Sequence, residues 1–223
     1  MMIGSMSPDF AYFLPHGLTE ISSHEADGIL LFCWPVSFAL WLLFVHLLEH
    51  PTIELLPAAW RARVPRSDRV ISIKALAFAS LAVVLGAMTH VAWDAFTHGN
   101  TPVTAAFPAL RAELFTFHGR SIRVYLVLQY LCSIIGLLSL GYWAFNIRRS
   151  APCAHGTNET RSMLTDGTRI GAALTIAAAS AATAVLSYLS YSGSRFEHRI
   201  FQFLIGGMTG WALAWAAVAL LIG

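Results

Sequence analysis

The chain has 223 residues, of which 57% are hydrophobic and only 12% are charged, about half the ~25% charged residues of a typical soluble domain. The high hydrophobic content excludes a disordered chain, and a net charge of +2 without a basic cluster argues against nucleic acid as a partner. Three cysteines, an odd number, exclude a secreted domain built on disulfides, which leaves a multi-span membrane protein.

Five stretches are apolar over the roughly 20 residues that a membrane-spanning helix needs. In chain order they are residues 29–48, about 72–93, 122–147, 170–191 and 200–222. Residues 1–18 are partly apolar but interrupted by prolines, and we interpret them as a short re-entrant or interfacial segment, or as the end of a helix whose beginning is missing. The sequence therefore predicts an all-α fold, a polytopic transmembrane helical bundle with about five spanning helices that sit in a lipid bilayer.

The basic residues predict the orientation of these helices. Nine of the fourteen Lys and Arg residues lie between the first stretch and the start of the second, or between the third and fourth apolar stretches. Because loops rich in Lys and Arg stay on the cytoplasmic side, we expect these two segments to be cytoplasmic. The N-terminal stretch, the loop at residues 93–121 and the short loop near Arg195 are then expected to face outward.

The chain is predicted to divide at a polar segment. Residues 1–149 are expected to form a membrane core of three spans, residues 150–168 a polar cytoplasmic linker, and residues 169–223 a membrane hairpin of two helices. In the last stretch, Gly206 and Gly210 form a Gly-x-x-x-Gly pair, which lets helices approach closely. We expect this pair to pack on the alanine-rich fourth stretch and to offer a surface for a homo-oligomer.

The residues best suited to chemistry lie at the outer end of the second stretch. His90, Asp94 and His98 are spaced four residues apart, which places them along one face of a helix. Histidine and aspartate are good ligands for a divalent metal, with zinc as the first expectation. An Asp inside an apolar segment is costly and indicates function by default. The alternative is a buried His–Asp cluster that only holds helices together.

Two further candidates come from other segments. Asp9 follows a proline, and taken alone it is typical of a turn in which the carboxylate binds nearby amides. His24 follows two serines just before the first span, and taken alone it is a polar residue of a first helical turn. The predicted topology nevertheless places both on the same side as His90, Asp94 and His98. A metal site assembled from helix ends needs this one-sided clustering, with Asp9 and His24 completing the site or acting as the catalytic base.

Four motifs in order carry a family resemblance. They are GSMSPDFAYF, then SSHEADGILLFCWPVSFALWLLFVHLLEHP with ELLPAAWRARV, then LGAMTHVAWDAFTHG, then LQYLCSIIGLL. Through them, residues 3–147 resemble the bacterial membrane family called domain of unknown function 4184. That family is distantly similar to inner-membrane proteins described as predicted metal-dependent hydrolases, which pair a Pro-Asp turn with a later helical His-x-x-x-Asp. The pattern from Gly86 to His98 is also similar to a helix of zinc-dependent phospholipases C.

The resemblance assigns positions within these motifs. Asp9, His24, His90 and Asp94 match the polar motif positions of the family, and His98 matches the extended helix motif. Members usually begin with a further segment carrying Ser-His, whereas this chain starts almost at the Pro-Asp motif. The resemblance therefore implies either a start upstream or the absence of one helix and one ligand. It also implies residence in the bacterial cytoplasmic (inner) membrane.

The leading functional hypothesis is a metal-dependent hydrolase. We expect it to cleave a phosphoester or similar bond in a lipid-like substrate at the outer membrane face, with His90, Asp94 and His98 as metal ligands and with Asp9 and His24 as catalytic groups. The metal would lower the pKa of its water towards about 7. The alternatives are non-enzymatic: a transporter, which predicts internal repeats that are not visible in the five stretches, or a structural or assembly protein.

Overall fold

The fold was analysed in a computed structural model, which describes residues 1–14, 23–64, 71–117, 119–150, 164–193 and 196–222. The protein is 82% helical, and within the described residues the only sheet is a small hairpin, so the predicted all-α class is confirmed. In chain order the elements are α1 (Met2–Met6), a 3-10 helix (Ser7–Phe13), α2 (Ala26–Gly28), a π-helical turn (Ile29–Cys33), α3 (Trp34–Leu43), a second π-helical turn (Phe44–Leu48), α4 (Glu49–Leu55), α5 (Ala58–Arg61), α6 (Ile73–Thr97), α7 (Pro102–Ala106), α8 (Pro108–Arg111), β1 (Glu113–Phe117), β2 (Arg120–Arg123), α9 (Val124–Arg149), α10 (Asp166–Ser190) and α11 (Phe196–Ile222).

Five helical segments within the described residues are long and apolar enough to cross a membrane, as predicted. They are Ala26–Leu55, Ile73–Ala106, Val124–Arg149, Asp166–Ser190 and His198–Ile222. The protein is therefore a multi-pass membrane protein, and its apolar helices fit a lipid bilayer.

Local capping explains where two of these helices begin. The Ser72 hydroxyl accepts a hydrogen bond from the Ala75 amide at the start of α6, and the Thr165 hydroxyl accepts one from the Thr168 amide at the start of α10. These bonds satisfy amide groups that have no partner within the helix. Because Thr165 caps α10, that helix begins a turn before the predicted apolar stretch at 170–191.

The described residues form two compact units. The first contains α1, the beginning of the first membrane helix as far as Phe38, and α6 to α9 with the hairpin. The second contains the rest of the first membrane helix together with α5, α10 and α11. The predicted three-part division stays a prediction, because residues 151–163 of the expected linker lie outside the described residues.

Backbone contact between α1 and α6 organises the first unit. Gly4 lies against the backbone of Val83, and a Cβ placed on Gly86 would lie 2.5 Å from the Met1 carbonyl oxygen and 2.8 Å from the Ser5 amide nitrogen. Such distances leave no room for a side chain on either glycine. The pair therefore lets the N-terminal helix rest directly on α6, which decides where the residues after α1 lie.

The chain leaves α6 through a loop that its own hydroxyl groups hold together. The Thr101 hydroxyl donates to the Ala95 carbonyl oxygen at 2.5 Å, and the buried Thr104 hydroxyl lies 3.1 Å from the carbonyl oxygens of His98 and Gly99. Thr101 and Thr104 also form a reciprocal capping box at the start of α7. These bonds order the segment that follows Asp94 and His98.

A two-stranded antiparallel hairpin, β1 and β2, precedes α9. Its turn contains Gly119 with φ of +77°, a conformation that strongly favours glycine. Hydrogen bonds donated by Ser121 and Thr116 hold the pKa of the exposed Glu113 carboxyl below its usual value, because they stabilise the charged form.

In the second unit, Gly206 and Gly210 pack against α10 of the same chain. A Cβ on Gly206 would lie 2.6 Å from the Thr183 carbonyl oxygen, and one on Gly210 would lie 2.8 Å from the Ala179 carbonyl oxygen of α10. The predicted close packing of the two helices is thus present. Because α10 already covers both glycines, the expected homo-oligomer through Gly206 and Gly210 is not supported.

Gly210→Ala is expected to destabilise the α10–α11 hairpin, because the new methyl group meets α10 backbone. Overpacking of this kind costs about 1–3 kcal/mol. Gly207→Ala is the matched control, since its Cβ would lie 3.4 Å from Ala184 Cβ, an ordinary contact. Unfolding in detergent, followed by circular dichroism, should show a loss for Gly210→Ala alone. Equal stability of the two variants would contradict the observed packing.

Candidate metal centre

Helix α6 supplies the two central residues of the site. His90 and Asp94 lie one turn apart near its C-terminal end, and His90 Nε2 is 3.1 Å from Asp94 Oδ2. Gly86 lies one turn earlier on the same face, where α1 packs. The helical spacing predicted from the sequence therefore places the imidazole and the carboxylate side by side.

Asp9 reaches these residues from the N-terminal segment. It lies in the 3-10 helix after α1, and its Oδ1 is 3.6 Å from His90 Nε2 and 3.6 Å from His24 Nε2. The close packing of Gly4 and Gly86 brings this segment to α6. Asp9 is thus more than a turn residue, because its carboxylate faces two histidines.

His24 enters the site just before α2. Its Nε2 lies 3.5 Å from Asp94 Oδ2 in addition to its contact with Asp9, and its ring centroid is 5.7 Å from that of His90. The ligand atoms of Asp9, His24 and His90 all lie within 4.8 Å of one another. The structure therefore brings together four of the five predicted site residues, all within the first unit.

The fifth residue, His98, lies at the edge of this group. It is the C-cap of α6 with φ of −113° and ψ of 136°, so the chain leaves the helix at this residue. Its Nδ1 is 3.2 Å from the Asp94 carbonyl oxygen and 3.8 Å from Asp94 Oδ1, and its side chain is 52% exposed. His98 thus contacts the outer oxygen of Asp94, whereas His24 and His90 contact Oδ2.

The spacing of Asp9, His24 and His90 is compatible with a shared cation, and Asp94 Oδ2 lies within 3.5 Å of both imidazoles. Charge-assisted N–H···O hydrogen bonds measure about 2.7–2.9 Å, whereas the four nitrogen–oxygen separations here are 3.1, 3.5, 3.6 and 3.6 Å. Two ligand atoms that each lie ~2.1 Å from a tetrahedral metal are ~3.4 Å apart. The observed separations are thus compatible with ligand atoms around one metal.

The environment of His90 agrees with this fit. Its Nε2 is buried and, in the described part of the chain, has no hydrogen bond of acceptable geometry, although Asp94 Oδ2 lies 3.1 Å away. A buried polar atom without a partner costs about 1–3 kcal/mol, so such atoms call for an explanation. A cation held among the imidazoles and carboxylates would satisfy the nitrogen.

The grouped side chains differ in how far they are exposed. The side chain of Asp9 is 48% exposed, whereas His90 is only 17% exposed. His90 on α6 is thus the most buried of these side chains, whereas Asp9 and His24 remain accessible.

Sequence reasoning missed three residues that support the site. Ser23 is buried and contacts His24, and Gly4 and Gly86 allow the N-terminal segment to reach α6. The position of Gly86 could have been noticed in the sequence, since Gly86 lies one helical turn before His90 and two turns before Asp94. The sequence offered no such indication for Ser23, because a serine just before an apolar stretch is typical of a helix cap.

Comparison with known proteins extends the resemblance seen in residues 3–147. A family profile described as domain of unknown function (DUF4184) matches residues 1–222, which include the α10–α11 hairpin. No curated protein and no solved structure matches the chain. Since the matched region is essentially the whole chain, the protein belongs to the family of the domain of unknown function DUF4184.

Proposed function

We propose that the protein is a metal-dependent hydrolase that cleaves a phosphoester or similar bond in a lipid-like substrate at the outer face of the membrane. The single observation that supports this proposal is that the carboxylates of Asp9 and Asp94 each lie between 3.1 and 3.6 Å from the imidazoles of His24 and His90. Mixed imidazole and carboxylate ligands are typical of zinc, and they also suit manganese and iron.

We assign His24, His90 and Asp94 as the ligands. Catalytic zinc sites use three protein ligands, such as two histidines and a carboxylate, and leave a position for water. His98, expected from the sequence as a ligand, is instead assigned to orienting Asp94 through its contact with Oδ1. This assignment moves His24 from the role of base to that of ligand.

Asp9 is assigned as the general base. It is the most exposed of the four grouped side chains, and its Oδ1 lies near both imidazoles, so it is placed to accept a proton from a water at the cation. The metal would supply a water acidified towards neutral pH and would polarise the phosphoryl oxygen. Asp9 then holds the proton until it passes to the leaving oxygen.

The position of the site favours a substrate from the bilayer surface. Asp94 lies near the end of α6, within a segment long and apolar enough to span a membrane. Residues at such helix ends lie at the level of the lipid headgroups, where phosphoesters are found. A lipid-like phosphoester would therefore reach Asp9 and His24 without leaving the membrane.

Metal analysis of the protein purified in detergent tests the proposal directly. We expect about one zinc, manganese or iron per chain, and we expect His90→Ala to lose it because that substitution removes the most buried ligand of the site. His46→Ala is the control, since His46 lies in the second unit. The proposal fails if all three metals are substoichiometric and His90→Ala leaves their content unchanged.

A further inference from the structure

The hydroxyl of Ser23 connects two of the segments that form the site. Ser23 is buried, and its Oγ lies 2.7 Å from the Pro8 carbonyl oxygen and 3.2 Å from His24 Nδ1. Pro8 immediately precedes Asp9, so one hydroxyl touches both the turn that carries Asp9 and the ring of His24. The Cys33 thiol in turn donates to the Ser23 carbonyl oxygen at 3.4 Å.

Proton counting determines the direction of both hydrogen bonds. A carbonyl oxygen only accepts, and a serine hydroxyl has one proton to donate. The 2.7 Å contact between two oxygens is favourable only when that proton lies between them, so Ser23 donates to Pro8. Ser23 Oγ must then accept at its contact with His24, which means that Nδ1 of the imidazole carries a proton.

We infer that Ser23 is a positioning residue that holds His24 as its Nδ1–H tautomer and leaves the lone pair of Nε2 directed at Asp9 and Asp94. The hydrogen bond at one imidazole nitrogen decides which nitrogen is free for a metal. Nε2 lies 3.6 Å from Asp9 Oδ1 and 3.5 Å from Asp94 Oδ2. Nε2 of His24 and the two carboxylate oxygens therefore face one another, an arrangement that suits a shared cation.

This inference deepens the proposed function, on which its metal-binding consequence rests, whereas the tautomer itself does not depend on a bound metal. With Nδ1 occupied by Ser23 and Nε2 assigned to the metal, His24 would have no further nitrogen with which to act as a base. The hydroxyl also couples the two segments, since a displacement of Pro8 and Asp9 changes the bond that holds the His24 ring. Ser23 thus determines both the orientation of the His24 ring and which of its nitrogens is available to a metal.

Nitrogen-15 NMR of histidine-labelled protein in detergent measures the tautomer, and His24→Gln identifies the His24 signals. We expect a proton on Nδ1 both in metal-free and in zinc-loaded protein. In Ser23→Ala we expect a shift towards the Nε2–H form, together with an affinity for added zinc that falls about 10–100-fold, the usual loss when the partner of a metal-ligating histidine is removed. Ser23→Thr retains the hydroxyl and is expected to restore the tautomer.

Ser7→Ala is the matched control. Its hydroxyl is also buried and belongs to the same segment, but it donates to the Gly4 carbonyl oxygen at 2.6 Å and no hydrogen bond joins it to an imidazole in the described residues. We expect this variant to keep the wild-type tautomer of His24. If Ser7→Ala and Ser23→Ala change the tautomer and the zinc affinity equally, the effect belongs to packing and the inference is wrong.

The remaining outcomes separate this inference from the proposed function. A wild-type His24 ring with no proton on Nδ1 would overturn the inference even if zinc binds. An Nδ1–H tautomer that depends on Ser23, in a protein that binds no zinc, manganese or iron, would support the inference and overturn the proposed function. Wild-type zinc binding with an unchanged tautomer and affinity in Ser23→Ala would overturn the inference alone.

Discussion

Replacing Gly86 with alanine is expected to lower metal affinity by at least the ~10-fold loss typical of disturbing a ligand's support. The new Cβ would lie 2.5 Å from the Met1 carbonyl oxygen, 2.8 Å from the Ser5 amide nitrogen and 3.1 Å from the Gly4 carbonyl carbon. All three are backbone atoms, so no side chain can move aside and the N-terminal segment must shift as a whole. Asp9 then moves away from His90 and His24.

Zinc titration of the purified protein, read by calorimetry, checks this expectation. Gly136→Ala is the control, because this glycine lies on α9 of the same unit and its Cβ would have no neighbour within 4 Å. We expect Gly136→Ala to bind zinc as the wild-type protein does. An unchanged affinity in Gly86→Ala would show that the α1 contact does not place Asp9.

A double-mutant cycle separates displacement of Asp9 from a general loss of folding. If Gly86→Ala acts through Asp9, the loss of affinity in Gly86→Ala with Asp9→Ala will be smaller than the sum of the two single losses. Independent effects would instead add. Additive losses would indicate that the glycine supports the fold without positioning the carboxylate.

Asp94→Asn is expected to abolish metal binding as fully as His90→Ala, because Asp94 contacts both histidines of the group through Oδ2 and His98 through Oδ1. The amide retains the size of the carboxylate but removes its charge, so the electrostatic attraction for the cation is lost at the centre of the site. Metal content should fall to that of His90→Ala. Hydrolysis of a chromogenic phosphodiester should fall with it.

The same variant distinguishes a metal site from a cluster that only holds helices together. A metal present at about 100 times its dissociation constant stabilises the native state by about 2.7 kcal/mol. If Asp94 binds a metal, a chelator should lower the melting temperature of the wild-type protein and have almost no effect on Asp94→Asn. If Asp94 only joins helices, a chelator should have no effect on either protein, and Asp94→Asn should melt earlier with or without it.

Asp166→Asn is the matched control for both measurements. Asp166 is also an acid at a membrane helix, but it is 94% exposed and pairs with Arg169 in the second unit. Exposed ion pairs contribute about 0–1 kcal/mol, so we expect nearly wild-type stability and unchanged metal content. A loss of metal in Asp166→Asn would mean that the metal lies elsewhere in the protein.

The sequence predicted much of the site on α6 and less of its surroundings. The four-residue spacing of His90 and Asp94 is a property of any α-helix, so their contact followed from local periodicity. The same extrapolation did not bring His98 into the group, because the helix ends there and the ring turns back to the Asp94 carbonyl oxygen. A helix terminus depends on the loop that follows, in this case on the hydroxyls of Thr101 and Thr104.

By itself, the sequence determined the membrane class, the five spanning helices and the helical pair His90–Asp94. These features are local, because the bilayer thickness sets the length of each apolar stretch and the helix satisfies its own backbone hydrogen bonds. Only the tertiary structure decided that the carboxylate of Asp9 and the imidazole of His24 meet this pair. This outcome depends on Gly4 and Gly86, which permit backbone contact between segments distant in sequence, and no local pattern reveals which surface will occupy that space.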